Sequence, residues 1–301
     1  MLLASGAFAQ EAAPYRHPYG FELAVPANWT RSCSGDLVLF RAPWEEGDAP
    51  TLALLVQPPG GEGSLEEAVE RTETDLRASE EIAFLASDRL DVGGRPALAL
   101  RYRIRSRERS LWQVAISLAD GSTLFLSFGA ADAEIAERTP LFERILRSLA
   151  TFETPSASEG HFLFRHPLGL AFEIPGGWTV EREGNRFLFA PPDHAGDRIP
   201  LVLAVTAPAP EELDSLDEIE RTIRERLDEA RLRPARVEDL HLGNVLARSV
   251  EWVDPDTKDL VRQTGLMWCG ALVALTATAP REEWEEIDLA LDHAEETFRF
   301  E

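Results

Sequence analysis

The sequence predicts an α+β protein built from two copies of one domain, each a mostly antiparallel sheet flanked by helices. Three observations lead to this prediction: a repeat of domain length, short strand patterns separated by hairpin turns, and a middle and a closing helix in each copy. Hairpins join antiparallel strands directly, whereas parallel strands would need a long crossover after each strand.

The repeat begins at residue 16. The stretch Arg16–Pro59 matches residues 165–208 without a gap at an offset of 149, and 17 of the 44 positions are identical. A period of about 150 residues is the length of a whole domain and far longer than a solenoid repeat. We therefore predict a first domain over residues 14–153, a linker over residues 154–160 and a second domain over residues 161–301.

Alternating apolar positions and turn residues predict the order β-β-β-α-β-β-β-β-α in each copy. Hairpin turns are predicted at Gly93-Gly94 and Asp120-Gly121 in the first copy, and at Asp254–Lys258 in the second. In the first copy the predicted strands are Phe21–Val25, Leu37–Arg41, Leu52–Gln57, Ile82–Asp91, Ala97–Arg105, Leu111–Leu118 and Thr123–Gly129.

Capping boxes that begin at Ser64 and Ser215 predict the start of the middle helix in each copy. The closing helix of the first copy is predicted to begin at Thr139, with Pro140 in its first turn. The apolar positions predicted to face the core are Leu65, Ala68, Thr72, Leu76, Leu216, Ile219, Ile223 and Leu227 in the middle helices, and Phe142, Ile145, Leu146, Leu149, Trp284, Ile287, Leu291, Ala294 and Phe298 in the closing helices.

Charge and hydropathy exclude several classes of function. Acidic residues outnumber basic residues 53 to 30, which gives a net charge of −23. Such a charge repels nucleic acids and anionic lipid surfaces. The longest apolar run, Leu266–Ala279, is shorter than the roughly 20 residues of a membrane-spanning helix. We therefore expect no nucleic-acid partner and no integral membrane segment.

The first ten residues, MLLASGAFAQ, indicate export. Ala7-Phe8-Ala9 is an A-x-A cleavage site that follows small and apolar residues. Residues 1–9 are therefore predicted to be the remnant of a signal peptide, and the protein to be periplasmic or secreted. The alternative is an ordinary N-terminus without a targeting role, because the basic region of a signal peptide is missing.

Two cysteines, Cys33 and Cys269, complete the composition. Neither belongs to a CxxC pair, so no zinc or dithiol site is predicted. We expect two separate thiols, with Cys269 buried in a strand. A disulfide between them remains an alternative in an oxidising compartment.

Several stretches resemble a known family. They are GFELAVPANW at Gly20–Trp29, GLAFEIPGGW at Gly169–Trp178 and GGRPAL at Gly93–Leu98. With the order of elements, they resemble the PsbP-like superfamily, which includes the extrinsic PsbP subunit of photosystem II, DcrB-type envelope proteins and Ran-binding Mog-type factors. The resemblance implies an α/β/α sandwich with a central antiparallel sheet in each copy. It also implies a non-enzymatic accessory role, usually the binding of another protein.

No catalytic, cofactor-binding or metal-binding residues are predicted. The sequence contains no G-x-S-x-G, H-E-x-x-H, P-loop or G-x-G-x-x-G motif. His17 and His166 are interpreted as turn residues, and Trp29 and Trp178 as core residues. The acidic loops at residues 45–48 and 193–197 are interpreted as solvated charge, with calcium binding as the alternative. Asp254, Asp256 and Asp259 are interpreted as part of a hairpin turn.

The leading hypothesis is an exported, non-catalytic accessory or binding protein that acts by protein–protein interaction in the cell envelope. Its partner would be an unidentified envelope protein, and no cofactor is expected. One alternative is a carrier of a small ligand or an ion in a cleft between the two domains. Another is an enzyme with an unfamiliar site, for which His194 and His241 are the first candidates.

Overall fold

A computed structural model of the chain describes residues 12–43, 49–58, 65–153, 156–192, 194, 199–206, 216–229 and 234–300, with the backbone alone at Ala68 and 226–229. The chain divides into two compact units. Apart from Cys33–Asp36 and the terminal Glu301, the division falls between Thr154 and Pro155. The predicted capping boxes at Ser64 and Ser215, the residues of the predicted signal peptide and nearly all of both acidic loops lie outside the described residues.

The first unit contains ten strands, two α-helices and one short 3-10 turn among its described residues. In chain order they are β1 (Ala12–His17), β2 (Phe21–Pro26), β3 (Thr30–Ser34), β4 (Leu37–Arg41), β5 (Thr51–Gln57), α1 (Leu65–Ala78), β6 (Ile82–Val92), β7 (Arg95–Ile104), the 3-10 turn (Arg105–Arg107), β8 (Arg109–Ser117), β9 (Thr123–Ala131), α2 (Ile135–Arg147) and β10 (Ala150–Thr151).

The second unit repeats this order without the 3-10 turn. Its elements are β11 (His161–His166), β12 (Leu170–Pro175), β13 (Thr179–Glu183), β14 (Arg186–Ala190), β15 (Leu201–Thr206), α3 (Leu216–Glu229), β16 (Arg236–Leu242), β17 (Val245–Val253), β18 (Leu260–Trp268), β19 (Ala271–Ala279), α4 (Trp284–Thr297) and β20 (Arg299–Phe300).

Both units have the same sheet topology, which confirms the predicted duplication. The large sheet has seven strands in the order β3-β4-β5-β9-β8-β7-β6, and its counterpart has the order β13-β14-β15-β19-β18-β17-β16. A three-stranded sheet accompanies each, β1-β2-β10 and β11-β12-β20. Within the second large sheet every neighbouring pair is antiparallel, as the hairpin pattern predicted.

The two helices of the first unit pack on opposite faces of the large sheet. Val69 of α1 packs with Leu100 and Ala115 on one face. Phe142 of α2 stacks on Phe128 at a ring-centroid distance of 4.7 Å on the other face. Strands make up 53% and helices 21% of the described residues, so this part of the chain is strand-rich. The α+β class is confirmed, while a layered α/β/α description fits it less closely.

A hydroxyl group joins the closing helix to the second strand in each unit. The Ala24 amide donates to Ser148 Oγ at 2.8 Å, and the Glu173 amide donates to Thr297 Oγ1 at 2.9 Å. Both pairs are 124 residues apart, so the offset of 149 holds through the closing helices. By this offset Thr151 is the residue of the first unit that is equivalent to Phe300, whereas the sequence repeat suggested Phe152.

Two predictions about local structure are wrong, and three strands of the first unit were missed. The closing helix begins at Ile135 and not at Thr139, whose hydroxyl donates to the Ile135 carbonyl at 2.7 Å inside the helix, so that Pro140 lies in the interior. Cys269 lies half-buried in a turn with Gly270, where both residues have positive φ, and not within a strand. Strands β1, β3 and β10 were not predicted at all, because they are short, polar or interrupted by proline.

Candidate functional site

The equivalent histidines have the structural role that the sequence predicted. His17 and His166 are buried at the ends of β1 and β11. Each accepts a hydrogen bond at Nδ1 from the amide two residues later, at 3.3 Å from Tyr19 and 3.1 Å from Leu168. These side chains therefore stabilise the tight turns that follow them.

The other positions considered in the sequence do not converge on one place. Trp29 and Trp178 are buried and follow proline turns. His241 is exposed on the edge strand β16, and His194 lies in the loop after β14. The Asp254 carboxylate accepts hydrogen bonds from the backbone amides of Asp256 and Thr257, which is typical of a hairpin turn. None of these residues forms a shared site with another.

The closing helix α4 of the second unit combines a buried apolar face with an exposed acidic face. The helix packs against β12 and β19. Its predicted inner residues Ile287, Leu291, Ala294 and Phe298 are buried, whereas Trp284 is half-buried. Its outer face carries Leu289, which is 63% exposed and the most exposed large hydrophobic residue in the described part of the chain. The exposed acidic residues of the helix are Glu285, Glu286, Asp292 and Glu296, and its last turn contains no basic residue.

The equivalent helix α2 has a different surface. Glu143 pairs with Arg147 and Glu134 pairs with Arg138, each one helical turn apart. The residue that corresponds to Leu289 is the exposed Pro140. The mixed charges of α2 are typical of a helix that faces only solvent. The acidic face of α4, with an apolar residue at its centre, therefore distinguishes the second unit.

A cluster of charged residues lies beneath α4. The guanidinium of Arg262, on β18, is only 6% exposed and contacts carboxylates at 2.8 Å (Asp288), 2.6 Å (Asp292) and 2.9 Å (Glu295). The Thr264 hydroxyl donates to Glu295 Oε1 at 2.5 Å. A buried cation with several carboxylates is stabilised by their attraction but carries a large desolvation cost.

The first unit has mainly apolar residues at the equivalent positions. Trp112 and Leu146 occupy the positions equivalent to Arg262 and Glu295, and the buried Val114 corresponds to Thr264. The same framework therefore accepts either apolar packing or an ionic network between the closing helix and the sheet.

Burial changes the protonation chemistry of this cluster. Burial raises the pKa of the Glu295 carboxyl above its ordinary value, although Arg262 and the Thr264 hydroxyl oppose the shift. Burial also raises the pKa of Asp288. Burial alone would lower the pKa of Arg262, but the surrounding carboxylates outweigh it and the net shift is upward.

A second cluster lies at the end of α4 and contains two histidines and a glutamate. His293 Nε2 is 3.2 Å from Oε2 of the buried Glu173, and the rings of His161 and His293 are stacked at a centroid distance of 4.0 Å. One potential ligand atom from each residue lies within 4.8 Å of the others. We call these three residues the His161–Glu173–His293 cluster. Burial raises the pKa of Glu173, but hydrogen bonds from Ser158 and the contact with His293 outweigh burial and lower it.

Sequence reasoning missed this cluster because its members are 12 and 120 residues apart. Each belongs to a different element, β11, β12 or α4. The available indication was a difference between the copies, since the equivalent positions in the first are Ala12, Ala24 and Arg144. The equivalence of Ser148 and Thr297 identifies Arg144 as the counterpart of His293. The folded structure then shows that the three residues that differ lie together.

Comparisons with known proteins bear on the fold. No protein-family model matches the chain, and no curated protein matches it. Similar solved structures include cyanobacterial PsbP (CyanoP) from Synechocystis sp. PCC 6803, with 17% identity, a TM-score of 0.39 and coverage of 50% of this chain and 99% of that one. The Saccharomyces cerevisiae Ran-binding protein Mog1p has 10% identity, a TM-score of 0.35 and coverage of 48% and 98%.

The immunity protein TplEi of the T6SS from Pseudomonas aeruginosa is also similar, with 14% identity, a TM-score of 0.46 and coverage of 91% of this chain and 97% of that one. Among the described residues, no helix combines the length and the apolar character needed to cross a bilayer.

Proposed function

We propose that this chain is an exported, non-catalytic binding protein of the cell envelope, and that the outer face of α4 binds a basic surface of a partner protein. The observation that carries the proposal is the exposed Leu289 among Glu285, Glu286 and Glu296. These four side chains are exposed in the structure, so this face is available to a partner.

The composition of this face resembles that of a protein interface. An apolar residue at the centre of a polar rim gives a partner a surface that releases water when it is covered. The acidic rim selects a partner with basic residues and repels an acidic one. The charge of the second unit supports this choice, since residues 156–301 contain 30 acidic and 15 basic residues.

Long-range attraction would also accelerate the encounter between the two proteins. Association steered by charge becomes slower as salt screens the field, with a Debye length of about 8 Å at physiological ionic strength. We therefore expect binding that weakens as salt is raised, in contrast to a purely apolar contact.

The test compares variants of the full chain as baits for envelope proteins of the host, quantified by mass spectrometry. Glu296→Lys is the key variant, because a basic residue in the last turn favours the helix dipole while it reverses one charge of the binding face. Leu289→Ser removes the apolar centre. The matched control is Glu137→Lys on α2, at the position equivalent to Glu286.

The proposal predicts that the same proteins are captured by the unchanged chain and by Glu137→Lys, and are lost with Leu289→Ser and Glu296→Lys. Their capture should also decrease with added salt. If all four baits capture the same proteins in equal amounts, α4 is not the binding face. If Glu137→Lys loses them as completely as Glu296→Lys, the effect reflects net charge alone and the proposal fails.

A further inference from the structure

The His161–Glu173–His293 cluster has the donor set of a transition-metal site, and this feature does not depend on the outer face of α4. We propose that the second unit binds one zinc ion through these three side chains, with a water molecule as the fourth ligand. Two imidazoles and one carboxylate are a recognised zinc ligand set, and three protein ligands leave one position open. Neutral imidazole nitrogen also suits divalent zinc better than it suits calcium or magnesium.

The separations are suitable for a small ion. A tetrahedral site with bonds of about 2.0–2.1 Å places its ligand atoms roughly 3.4 Å apart. His293 Nε2 and Glu173 Oε2 are already 3.2 Å apart, and no pair of the three ligand atoms exceeds 4.8 Å. Rotation of the partly exposed imidazoles out of their stack would complete the coordination, while the buried carboxylate stays in place.

Contacts outside the cluster orient two of the three ligands. His161 Nδ1 is 3.2 Å from the Glu159 carbonyl, which can only accept a hydrogen bond. Nδ1 is therefore the donor, and Nε2 is the nitrogen left to bind an ion. The Ser158 amide donates to Glu173 Oε2 at 3.1 Å. A carbonyl on the remote nitrogen of a histidine and a hydrogen bond to the carboxylate are typical of the second shell of metal sites.

The histidine stack shows that the two imidazoles already lie side by side. Their ring centroids are 4.0 Å apart. Zinc binds the neutral form of an imidazole, so a proton held on a ligating nitrogen is released when the ion binds.

Arg299 is the one cation near the cluster among the described contacts of Glu173. Its Nη2 lies 3.7 Å from Glu173 Oε1, on the oxygen that does not face His293. A monodentate ion on Oε2 leaves this ion pair in place. Arg299 would reduce the affinity for zinc, and the excess of acidic residues in the second unit would offset part of that reduction.

The first unit is an internal comparison that cannot form the site. Ala12 and Ala24 have no ligand atoms in their side chains, and Arg144 is a cation. We therefore expect one zinc ion per chain and not two, although the two folds are duplicates.

The experiment is isothermal titration of the full, untagged chain with zinc chloride after removal of bound metal. We expect one equivalent of zinc, with affinity reduced at least tenfold by His161→Ala, His293→Ala or Glu173→Gln. Glu173→Gln keeps the size of the side chain and an oxygen for the Ser158 amide. The controls are His194→Ala and His241→Ala, which remove histidines outside the cluster and should leave the affinity unchanged.

Cobalt provides a second readout that does not depend on heat changes. A four-coordinate cobalt complex should absorb in the visible region in the unchanged chain and lose that absorption in His293→Ala. Circular dichroism of each variant verifies that it is folded. The proposal is overturned if the folded, unchanged chain binds no zinc, or if the cluster variants bind zinc as tightly as the unchanged chain. It is also overturned if His194→Ala or His241→Ala abolishes binding, because the ion would then lie elsewhere.

Discussion

Arg262 and Trp112 occupy equivalent positions in the two units, and their side chains have opposite character. Trp112 packs near Phe128 at a ring-centroid distance of 6.1 Å. Arg262 is buried and depends on carboxylates of α4 for compensation. Removing one partner of such a buried pair is much more costly than replacing both, because the remaining charge is buried without compensation.

Arg262→Met should therefore destabilise the second unit by about 3–5 kcal/mol. Adding Glu295→Leu, which recreates the apolar residue of the first unit, should recover about 2 kcal/mol of that loss. Hydrogen exchange of the α4 amides measures the free energy of unfolding of the second unit separately from that of the first. Equal protection in Arg262→Met and in the double variant would contradict the predicted recovery.

Glu295 should make the stability of the second unit depend on pH. Its folded pKa lies above the ordinary value of 4.5, so the folded state binds the proton more tightly than the unfolded chain does. The stabilisation is complete below the ordinary pKa and is lost as the pH rises through the raised value. Glu295→Gln removes this pH-dependent loss of stability, because glutamine has no carboxyl group to ionise.

The stability of the unchanged chain relative to Glu295→Gln should therefore fall as the pH rises from the ordinary pKa of Glu295 through its raised pKa. Urea midpoints of the two proteins, measured over a series of pH values, give this difference. A difference that stays constant with pH would contradict the raised pKa. A difference that increases with pH would indicate that Arg262 outweighs burial.

At the scale of the element, each closing helix is joined to the second strand by one hydroxyl group. The hydroxyl groups of Ser148 and Thr297 each accept a hydrogen bond from a strand amide. Each also donates a hydrogen bond to a backbone carbonyl of its own closing helix. Such a bridge fixes the position of the helix along the sheet. In the second unit it also fixes the position of His293 relative to Glu173.

Ser148→Ala and Thr297→Val should each cost about 1–2 kcal/mol, because a partly buried strand amide loses its acceptor. Thr74→Val is the control, since the Thr74 hydroxyl donates only within the exposed face of α1 and no strand amide depends on it. Thermal unfolding of the three variants measures the differences. A control as destabilised as Thr297→Val would mean that the bridge contributes nothing specific.

Strong periodic patterns predicted most elements, and weak patterns hid the rest. The long apolar strands β5 and β9 are recognisable because alternate residues enter the core. Strand β13 has five exposed residues and no such pattern. The start of α2 was misplaced because Thr139 and Pro140 look like a cap, whereas the helix begins one turn earlier without a side-chain cap. Tertiary packing of Phe142 and Ile145 determines where that helix lies.

At the scale of the whole molecule, the duplicated units differ in how their helices are held on the sheets. In the first unit Val69 and Leu98 belong to an apolar cluster. The equivalent residues in the second are Glu220 and Arg248, which form an ion pair. Charged contacts replace apolar ones beneath α4 as well. The second unit therefore carries most of the negative charge of the chain, together with both features that could recognise a ligand.

The duplication and the antiparallel hairpins were predictable from the sequence, whereas the order of strands in each sheet and the candidate sites were not. Hairpin turns identify strands that are neighbours in the chain, but the pairing of β5 with β9 joins strands that are far apart in the sequence. The outer face of α4 is visible in the sequence only as a run of acidic residues, which is ordinary for a solvated helix. The exposure of Leu289, like the proximity of His161 to His293, depends on three-dimensional packing that periodicity does not specify.

The most direct test of the binding proposal places a photo-crosslinking amino acid at position 286 of the full chain, with position 137 as the matched control. Both positions hold an exposed glutamate at the same point of equivalent helices. After irradiation in an envelope fraction, we predict a discrete adduct with a basic protein from position 286 and none from position 137. Identical adducts from both positions, or adducts from position 137 alone, would contradict the proposal that the outer face of α4 is the binding surface.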